Sequence, residues 1–259
     1  MKNSPVVSIV MPAYDASRFI SESITSVREQ TFEDWELLVI DDASKDETDY
    51  LVKNYIQQDP RITLHSLPVN QGAAFARNIG IKASEGEYIS FLDADDLWKP
   101  HKLQTQLDFM KKNDLKVSYS SYELMDEEGK SMNQMVKALE ILAFSKLLRA
   151  NYVGNLTGMY NSKMLGKIYC PPIRKRQDWA MWLKALELAG EARGIVEPLA
   201  KYRVRKGSIS ANKKEMLEYN YKVYRKVLNF SAVKSSYWIT RFLYEQFFVK
   251  SKQLVPLKK

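Results

Sequence analysis

Three apolar runs in the first hundred residues stop abruptly in acids or a polar turn, and this constrains the fold more than any bulk property. Val6-Val7-Ser8-Ile9-Val10-Met11 is closed by Pro12 and leads into Ala13-Tyr14-Asp15. Glu36-Leu37-Leu38-Val39-Ile40 ends in Asp41-Asp42, and Ile89-Ser90-Phe91-Leu92 ends in Asp93-Ala94-Asp95-Asp96. Short continuous apolar runs suit strands buried on both faces. Between them, apolar residues recur at helical spacing: Phe19, Ile20, Ile24 and Val27, then Tyr50, Leu51 and Tyr55 after the candidate caps Ser44 and Asp46. Arg61 to Leu64 reads as a further short strand, and Asn70-Gln71-Gly72 turns into a helix over Ala73 to Ala83. Strand and helix alternate as in a parallel sheet covered by helices. In such sheets ligands bind beyond the carboxyl ends of the strands, so the three acidic or polar ends should converge on one cleft.

The chemistry of that cleft is narrowed by what the sequence lacks. After the first strand stands Pro-Ala-Tyr-Asp in place of Gly-x-Gly-x-x-Gly, and no Walker sequence occurs. A nucleotide site without glycine-rich loops holds its phosphates through a divalent cation, with Asp93 and Asp95 as its candidate ligands. His65 and His101 are the only histidines and read as surface or packing residues, which excludes a His-rich zinc site. Cys170 is the sole cysteine, so no intramolecular disulfide forms and a reducing compartment is expected. The N-terminal residues carry no signal-peptide pattern, and no run approaches the ~20 apolar residues of a spanning helix.

Five pieces then occur in a fixed order: Val-Ser-Ile-Val-Met-Pro-Ala-Tyr-Asp, Gln30-Thr31-Phe32-x-x-Trp35-Glu36, Val39-Ile40-Asp41-Asp42-Ala43-Ser44, Asn70-x-Gly72 with Ala76-Arg77-Asn78, and Leu92-Asp93-Ala94-Asp95-Asp96. A sixth is Arg176-Gln177-Asp178-Trp179-x-x-Trp182-Leu183. Asp-x-Asp alone is common, but together the six resemble the inverting family-2 glycosyltransferases of GT-A fold. The resemblance implies that Pro12, Ala13, Tyr14 and Asp15 border the nucleoside, that Asp42 bonds the base, and that Arg77 meets the base or phosphates. It implies that Asp93 and Asp95 hold the ribose and the metal, Mn²⁺ or Mg²⁺, and that Asp178 is the catalytic base. Simpler readings stand beside these. Asp93 to Asp96 is a solvated turn, Asp42 a turn residue, Arg77 a surface arginine, Asp178 an N-cap, and Asp96 a cap for a helix begun by Leu97-Trp98. Trp179 and Trp182 read as core.

The second half is less patterned. Val117 to Tyr122 reads as a strand, Asp126 to Lys130 as a hairpin turn, Ala138 to Leu148 as an amphipathic helix, Asn155 to Tyr160 as a strand and Gly194 to Tyr202 as another. Tyr202-Arg203-Val204-Arg205-Lys206-Gly207-Ser208-Ile209-Ser210 resembles a family segment that in some relatives carries a histidine near position 205. Arg205 stands there here, so Arg205 or Lys206 either meets the donor diphosphate as a fixed charge or forms a solvated basic turn.

The net charge of +8 lies in one place. Residues 213–259 hold eleven Lys/Arg, three Asp/Glu and ten aromatics, whereas residues 1–212 are neutral. A basic tail of this kind gives no reason to expect nucleic acid binding by the rest of the chain. Trp238, Ile239, Phe242, Leu243 and Phe247 fall near one helical face among Lys234, Arg241, Lys250 and Lys252, the composition of an interfacial helix. A helix packed on the domain with a basic exterior is the other reading.

The expectation is therefore an α/β GT-A (Rossmann-like) domain over 1–212, a mostly parallel sheet flanked by helices, with a basic helical C-terminal extension over 213–259. The resemblance implies transfer of a sugar from a nucleoside-diphosphate donor, UDP by family precedent. The acceptor is a saccharide, polyprenyl-linked where the extension meets the inner leaflet, in surface polysaccharide synthesis of O-antigen, capsule or teichuronic type. A cytoplasmic protein at the membrane face is expected. The competitors are a sugar-phosphate nucleotidylyltransferase, whose glycine-rich basic first loop is missing, and a non-catalytic membrane or nucleic-acid adaptor, which has no use for Asp42, Asp93, Asp95 and Asp178 together.

Overall fold

The computed structural model describes residues 4–205 and 213–257. The first half follows the predicted alternation: β1 (Val7–Ala13), α1 (Ile20–Arg28), β2 (Trp35–Asp41), α2 (Thr48–Gln58), β3 (Ile62–Ser66), α3 (Ala73–Ala83) and β4 (Tyr88–Phe91). β1 lies between β2 and β4 and parallel to both, with Val7 level with Trp35 and Tyr88, and β3 continues the parallel set beyond β2. Val7, Ile9, Val10, Leu37, Val39, Ile40, Ile89 and Phe91 are all inaccessible, as strands covered on both faces must be.

The second half comprises β5 (Leu97–Trp98), α4 (Lys102–Lys112), β6 (Val117–Met125), β7 (Ser131–Val136), β8 (Ile141–Ala143), α5 (Phe144–Leu147), β9 (Met159–Asn161), α6 (Ser162–Leu165), α7 (Gln177–Ala189) and β10 (Glu191–Arg203). β9 runs antiparallel between β4 and β6, and β6 and β7 form a hairpin closed by Asp126 and Lys130. The sheet is thus parallel where helices cross between strands and mixed beyond, where short connections allow antiparallel pairing.

Three local expectations change. Ala138 to Leu148 is not one helix: Ile141–Ala143 pairs with β10, its exposure alternates, and only Phe144–Leu147 is helical. Pairing with β10 overrides the helical spacing. Asn155–Thr157 is a 3₁₀ turn in which Thr157 donates to the Gly154 carbonyl, and strand begins only at Met159. Gly158, between them, lies against Trp182, where an added Cβ would stand 2.1 Å from the ring. Leu97-Trp98 starts no helix but pairs with β10, so Asp96 is not a helix cap.

Trp179 and Trp182 are core residues, as read. Trp182 meets Phe91 and Tyr160 edge-on, with ring centroids at 5.8 and 6.3 Å. Onto Trp179 packs the C-terminal segment: α8 (Lys213–Lys222), a π-helical turn Val223–Val227, α9 (Ala232–Tyr244), a second π-helical turn Glu245–Val249, a 3₁₀ turn Lys250–Gln253 and β11 (Leu254–Pro256). The Tyr224 ring stands edge-on to Trp179 at 5.6 Å and Phe242 lies at 6.1 Å. Burying each such ring contributes on the order of 2 kcal/mol. Trp238, Ile239 and Leu243 pack on the same core. The face predicted to meet lipid is therefore mostly the packing face. Phe247 alone of that set is exposed, beside Phe248, Tyr244, Tyr237 and Val233. No helix among the described residues is long and apolar enough to cross a membrane.

Candidate active site

The strand ends converge as the alternation requires. At the end of β1, the Ala13 carbonyl accepts the Asp42 N–H at 2.8 Å, joining the first two ends directly. Pro12 and Ala13 are the last residues of β1, and Tyr14 beyond them is half exposed. Asp15 adopts φ +44 and its carboxylate accepts the Lys45 N–H at 2.8 Å, tying the two loops together. Asp42 is buried. Its two carboxylate oxygens accept the Gln71 and Gly72 N–H groups at 2.8 and 2.7 Å. Gly72, at φ +89, turns the chain into α3 at this point. Asp41 faces inward, where it binds Ser44, and burial raises its carboxyl above the usual range.

α3 carries Arg77 under this edge. The guanidinium is 6 % exposed and donates to Asp93 Oδ1 at 2.5 Å, while its Nε and Nη1 are buried without a hydrogen-bond partner. Burial opposes the charge, but Asp93, Cys170 and Asp178 outweigh it and hold the arginine pKa above its ordinary value. Arg77 thus feels both the strand-end acids and the acid of α7. Asp95 pairs with Arg205 at 2.8 Å. Burial and the Asp93 charge raise the Asp95 carboxyl, and Arg205 pulls it back. Asp96 is buried beneath them and accepts the Arg203 N–H at 2.9 Å, and burial followed by Asp95 and Asp93 pushes its carboxyl well above the usual range. Its part is to hold β10 to the acidic turn. Lys206 lies outside the described residues.

Asp178 is the second residue of α7, half-buried, and accepts the Asn151 amide at 3.0 Å. Lys250, from the C-terminal segment, donates from Nζ to the Asn151 carbonyl. No group of three or more His, Cys, Asp or Glu among the described residues is placed to hold a metal by itself. Asp93 and Asp95 offer hard oxygen donors from one turn, and the Asp95 carboxyl is raised first by burial and then by the Asp93 charge, the second of which a cation would relieve. That donor set fits Mg²⁺ or Mn²⁺ completed by phosphate and water oxygens.

Residues 8–167 match the sequence model of glycosyl transferase family 2. The chain belongs to that family. It is 36 % identical over 238 residues to TuaG of Bacillus subtilis, whose name assigns it to teichuronic acid biosynthesis, covering 92 % of this chain and 94 % of TuaG. It is 37 % identical over 211 residues to WfgD of Escherichia coli, named as a UDP-Glc:alpha-D-GlcNAc-diphosphoundecaprenol beta-1,3-glucosyltransferase, covering 80 % and 81 %. Among solved structures it resembles TarS of S. aureus in complex with UDP-GlcNAc at a TM-score of 0.72, with 21 % identity over 93 % of this chain and 73 % of TarS. The protein is a glycosyltransferase of GT-A fold, and the nucleotidylyltransferase and adaptor readings are not favoured.

Three residues around this glycosyltransferase site escaped the sequence reading. Arg203 is almost wholly buried and binds the Asp95 and Glu127 carbonyls at 2.8 and 2.9 Å and Glu22 at 2.7 Å, which pins the acidic turn. Its signal in the sequence is its place beside Tyr202, two residues before Arg205. Asn151 comes from a loop outside any motif, and Lys250, read in sequence as a lysine flanking an interfacial helix, instead bonds the Asn151 carbonyl; the fold brings both to Asp178.

Proposed function

We propose that this glycosyltransferase moves a sugar with inversion from a UDP-linked donor to a hydroxyl of a lipid-diphosphate-linked saccharide, at the cytoplasmic face of a membrane. The observation that carries this reading is Arg77, which is buried at the strand ends with one nitrogen on Asp93 and with Nε and Nη1 unpartnered, and whose charge Asp178 of α7 also supports. The names of TuaG and WfgD support the polysaccharide class and the lipid-linked acceptor, and the UDP-GlcNAc bound by TarS supports the donor.

The chemistry is a single displacement. Asp178 takes the proton of the acceptor hydroxyl while that oxygen bonds the anomeric carbon, and the bond from that carbon to the diphosphate oxygen breaks on the opposite face. The unpartnered Nε and Nη1 of Arg77, with Arg205 beside Asp95, meet the charge that collects on the departing diphosphate. Asp42 reads the base, and Pro12, Ala13, Tyr14 and Asp15 border the nucleoside. Asp93 and Asp95 would hold a divalent cation, which when bound would supply further neutralisation of that charge. Residues 1–212 form the catalytic unit in this reading, and residues 213–257 are an extension docked on α7.

The exposed set Val233, Tyr237, Tyr244, Phe247 and Phe248, flanked by Lys234 and Arg241, is the surface we assign to the membrane. Thermal shift with UDP and Mn²⁺ tests the donor site: stabilisation that needs both is expected. Stabilisation by DNA without any response to UDP sinks the reading. A panel of nucleotide sugars, scored by hydrolysis and transfer, then identifies the donor.

A further inference from the structure

Asp178 has cationic neighbours that the displacement leaves unused. Lys250 reaches the Asn151 carbonyl whose amide binds Asp178. Arg176 stands two residues before Asp178 at φ +64, in the left-handed region that a non-glycine residue rarely adopts. Its guanidinium sits 6.0 Å from the Trp179 ring and 5.9 Å from Phe242, and its Nε is buried with no hydrogen-bond partner. Burial lowers the Arg176 pKa, and burial together with the Arg176 charge lowers Lys250 to about 8, with Asp178 opposing both. The two cations are therefore close enough to repel each other in a desolvated place. Other basic groups nearby have their counter-charge: Lys146 pairs with Glu245, and Arg149 also acts on Glu245. Among the described residues Asp178 is the one acid that acts on both Arg176 and Lys250, which leaves an excess positive charge that folding disfavours and a bound anion would relieve.

We propose that Arg176 and Lys250 form an anion subsite on the acceptor side of Asp178, and that it takes the diphosphate joining the accepting sugar to its lipid. The assignment rests on the transferase reading above, because that reading places the accepting hydroxyl at Asp178. The diphosphate of the same sugar then lies one ring away, where Lys250 and Arg176 stand. The donor diphosphate has separate partners in Arg77 and Arg205. A planar fork and a point charge are two ways in which side chains hold phosphate, and both are present. Just before Lys250 the chain exposes Phe247 and Phe248, apolar surface in the place where a lipid attached to that diphosphate would leave the protein.

The test is calorimetric titration of inorganic pyrophosphate into the full chain in metal-free buffer, for wild type, Lys250→Met, Lys250→Arg and Arg176→Gln. Binding by the wild type is expected, with at least a tenfold loss in Lys250→Met and Arg176→Gln and recovery in Lys250→Arg. Thermal melts confirm that each variant is folded. Absence of wild-type binding, equal binding by all variants, or displacement by UDP of the pyrophosphate whose binding the Lys250 and Arg176 variants weaken overturns the subsite. In the kinetic arm, KM for a diphosphate-linked acceptor rises at least tenfold in Lys250→Met, and KM for the phosphate-free glycoside of the same sugar does not follow. Equal rises for both acceptors overturn the assignment to the diphosphate. A wild type that turns over no nucleotide sugar defeats the transferase reading, and the pyrophosphate titration still decides the subsite.

Discussion

Arg77 gives Asp93 one nitrogen at 2.5 Å and keeps Nε and Nη1 buried and unpaired. An arginine in that state is committed to one ion pair and keeps two further N–H groups that an anion could accept from. Replacing it with methionine removes the partner of Asp93 and the two waiting donors. Because Asp93 remains partly exposed, the loss of stability is about 1–3 kcal/mol, below that of a fully buried pair. Arg77→Lys keeps the charge and loses the fork, so it melts nearer the wild type but weakens UDP binding by about tenfold, one such hydrogen-bonded contact. Thermal melts and UDP titration separate the two effects.

Asp178→Asn keeps the side chain's shape and its contact with Asn151 but cannot take a proton. Turnover falls by about 10² to 10⁴, the range of general-base assistance. Donor affinity stays within about twofold, since the energy of that contact does not involve the donor. Parallel loss of donor binding would place Asp178 in the donor site instead.

Lys250 makes two opposite pH dependences. Its folded pKa of about 8 lies below the ordinary 10.5, so between those values the unfolded chain binds more protons than the folded one. Stability from this group therefore rises with pH across that window and is at its lowest below about 8, where the half-buried ammonium is fully charged. Affinity for an anionic acceptor moves the other way and declines above about 8. Melting temperature and acceptor KM from pH 7 to 10 should show both slopes, and Lys250→Met should flatten both.

Gly158 is closed to any side chain. A Cβ there meets Trp182 at 2.1 Å, and that ring is locked edge-on against Phe91 and Tyr160. Gly158→Ala should cost about 1–3 kcal/mol and shift α7, so that the melting temperature and kcat fall together.

Phe247→Ser with Phe248→Ser removes two exposed rings that support no core contact in the hydrophobic clusters. Co-sedimentation with anionic liposomes at low salt should drop severalfold, and the melting temperature should hold. Wild-type protein that stays in the supernatant ends the membrane proposal.

The donor edge was legible in sequence because a parallel sheet has a simple grammar. Apolar strands that end in Asp41-Asp42 and Asp93-Ala94-Asp95-Asp96 must deliver those acids to one side, whatever the helices between them do. Arg77 was legible as a candidate, but its burial was not, since a helical arginine facing a sheet edge looks in sequence like any surface arginine. Asn151 and Lys250 obey no local period. Their positions follow from the packing of Tyr224 and Phe242 on Trp179, a long-range choice among several apolar faces. The same choice reversed the expectation for α9, where the face richest in tryptophan and leucine found a protein partner before a lipid one. Ala138 to Leu148 failed for a related reason: a strand of β10 with open hydrogen-bonding groups outweighed a helical pattern of moderate strength.

β11 gives the tail a mechanical role. Leu254–Pro256 pairs along β7, and Gln253 just before it donates to the Lys137 carbonyl at 2.8 Å, so the segment carrying Lys250 is held at both ends, by α9 on one side and by the sheet on the other. Such a strap transmits strain: any acceptor that pushes Lys250 outward must stretch a chain sewn to the sheet margin. It follows that fusing a bulky partner directly after Leu257 would loosen grip on the acceptor before it disturbed the nucleotide.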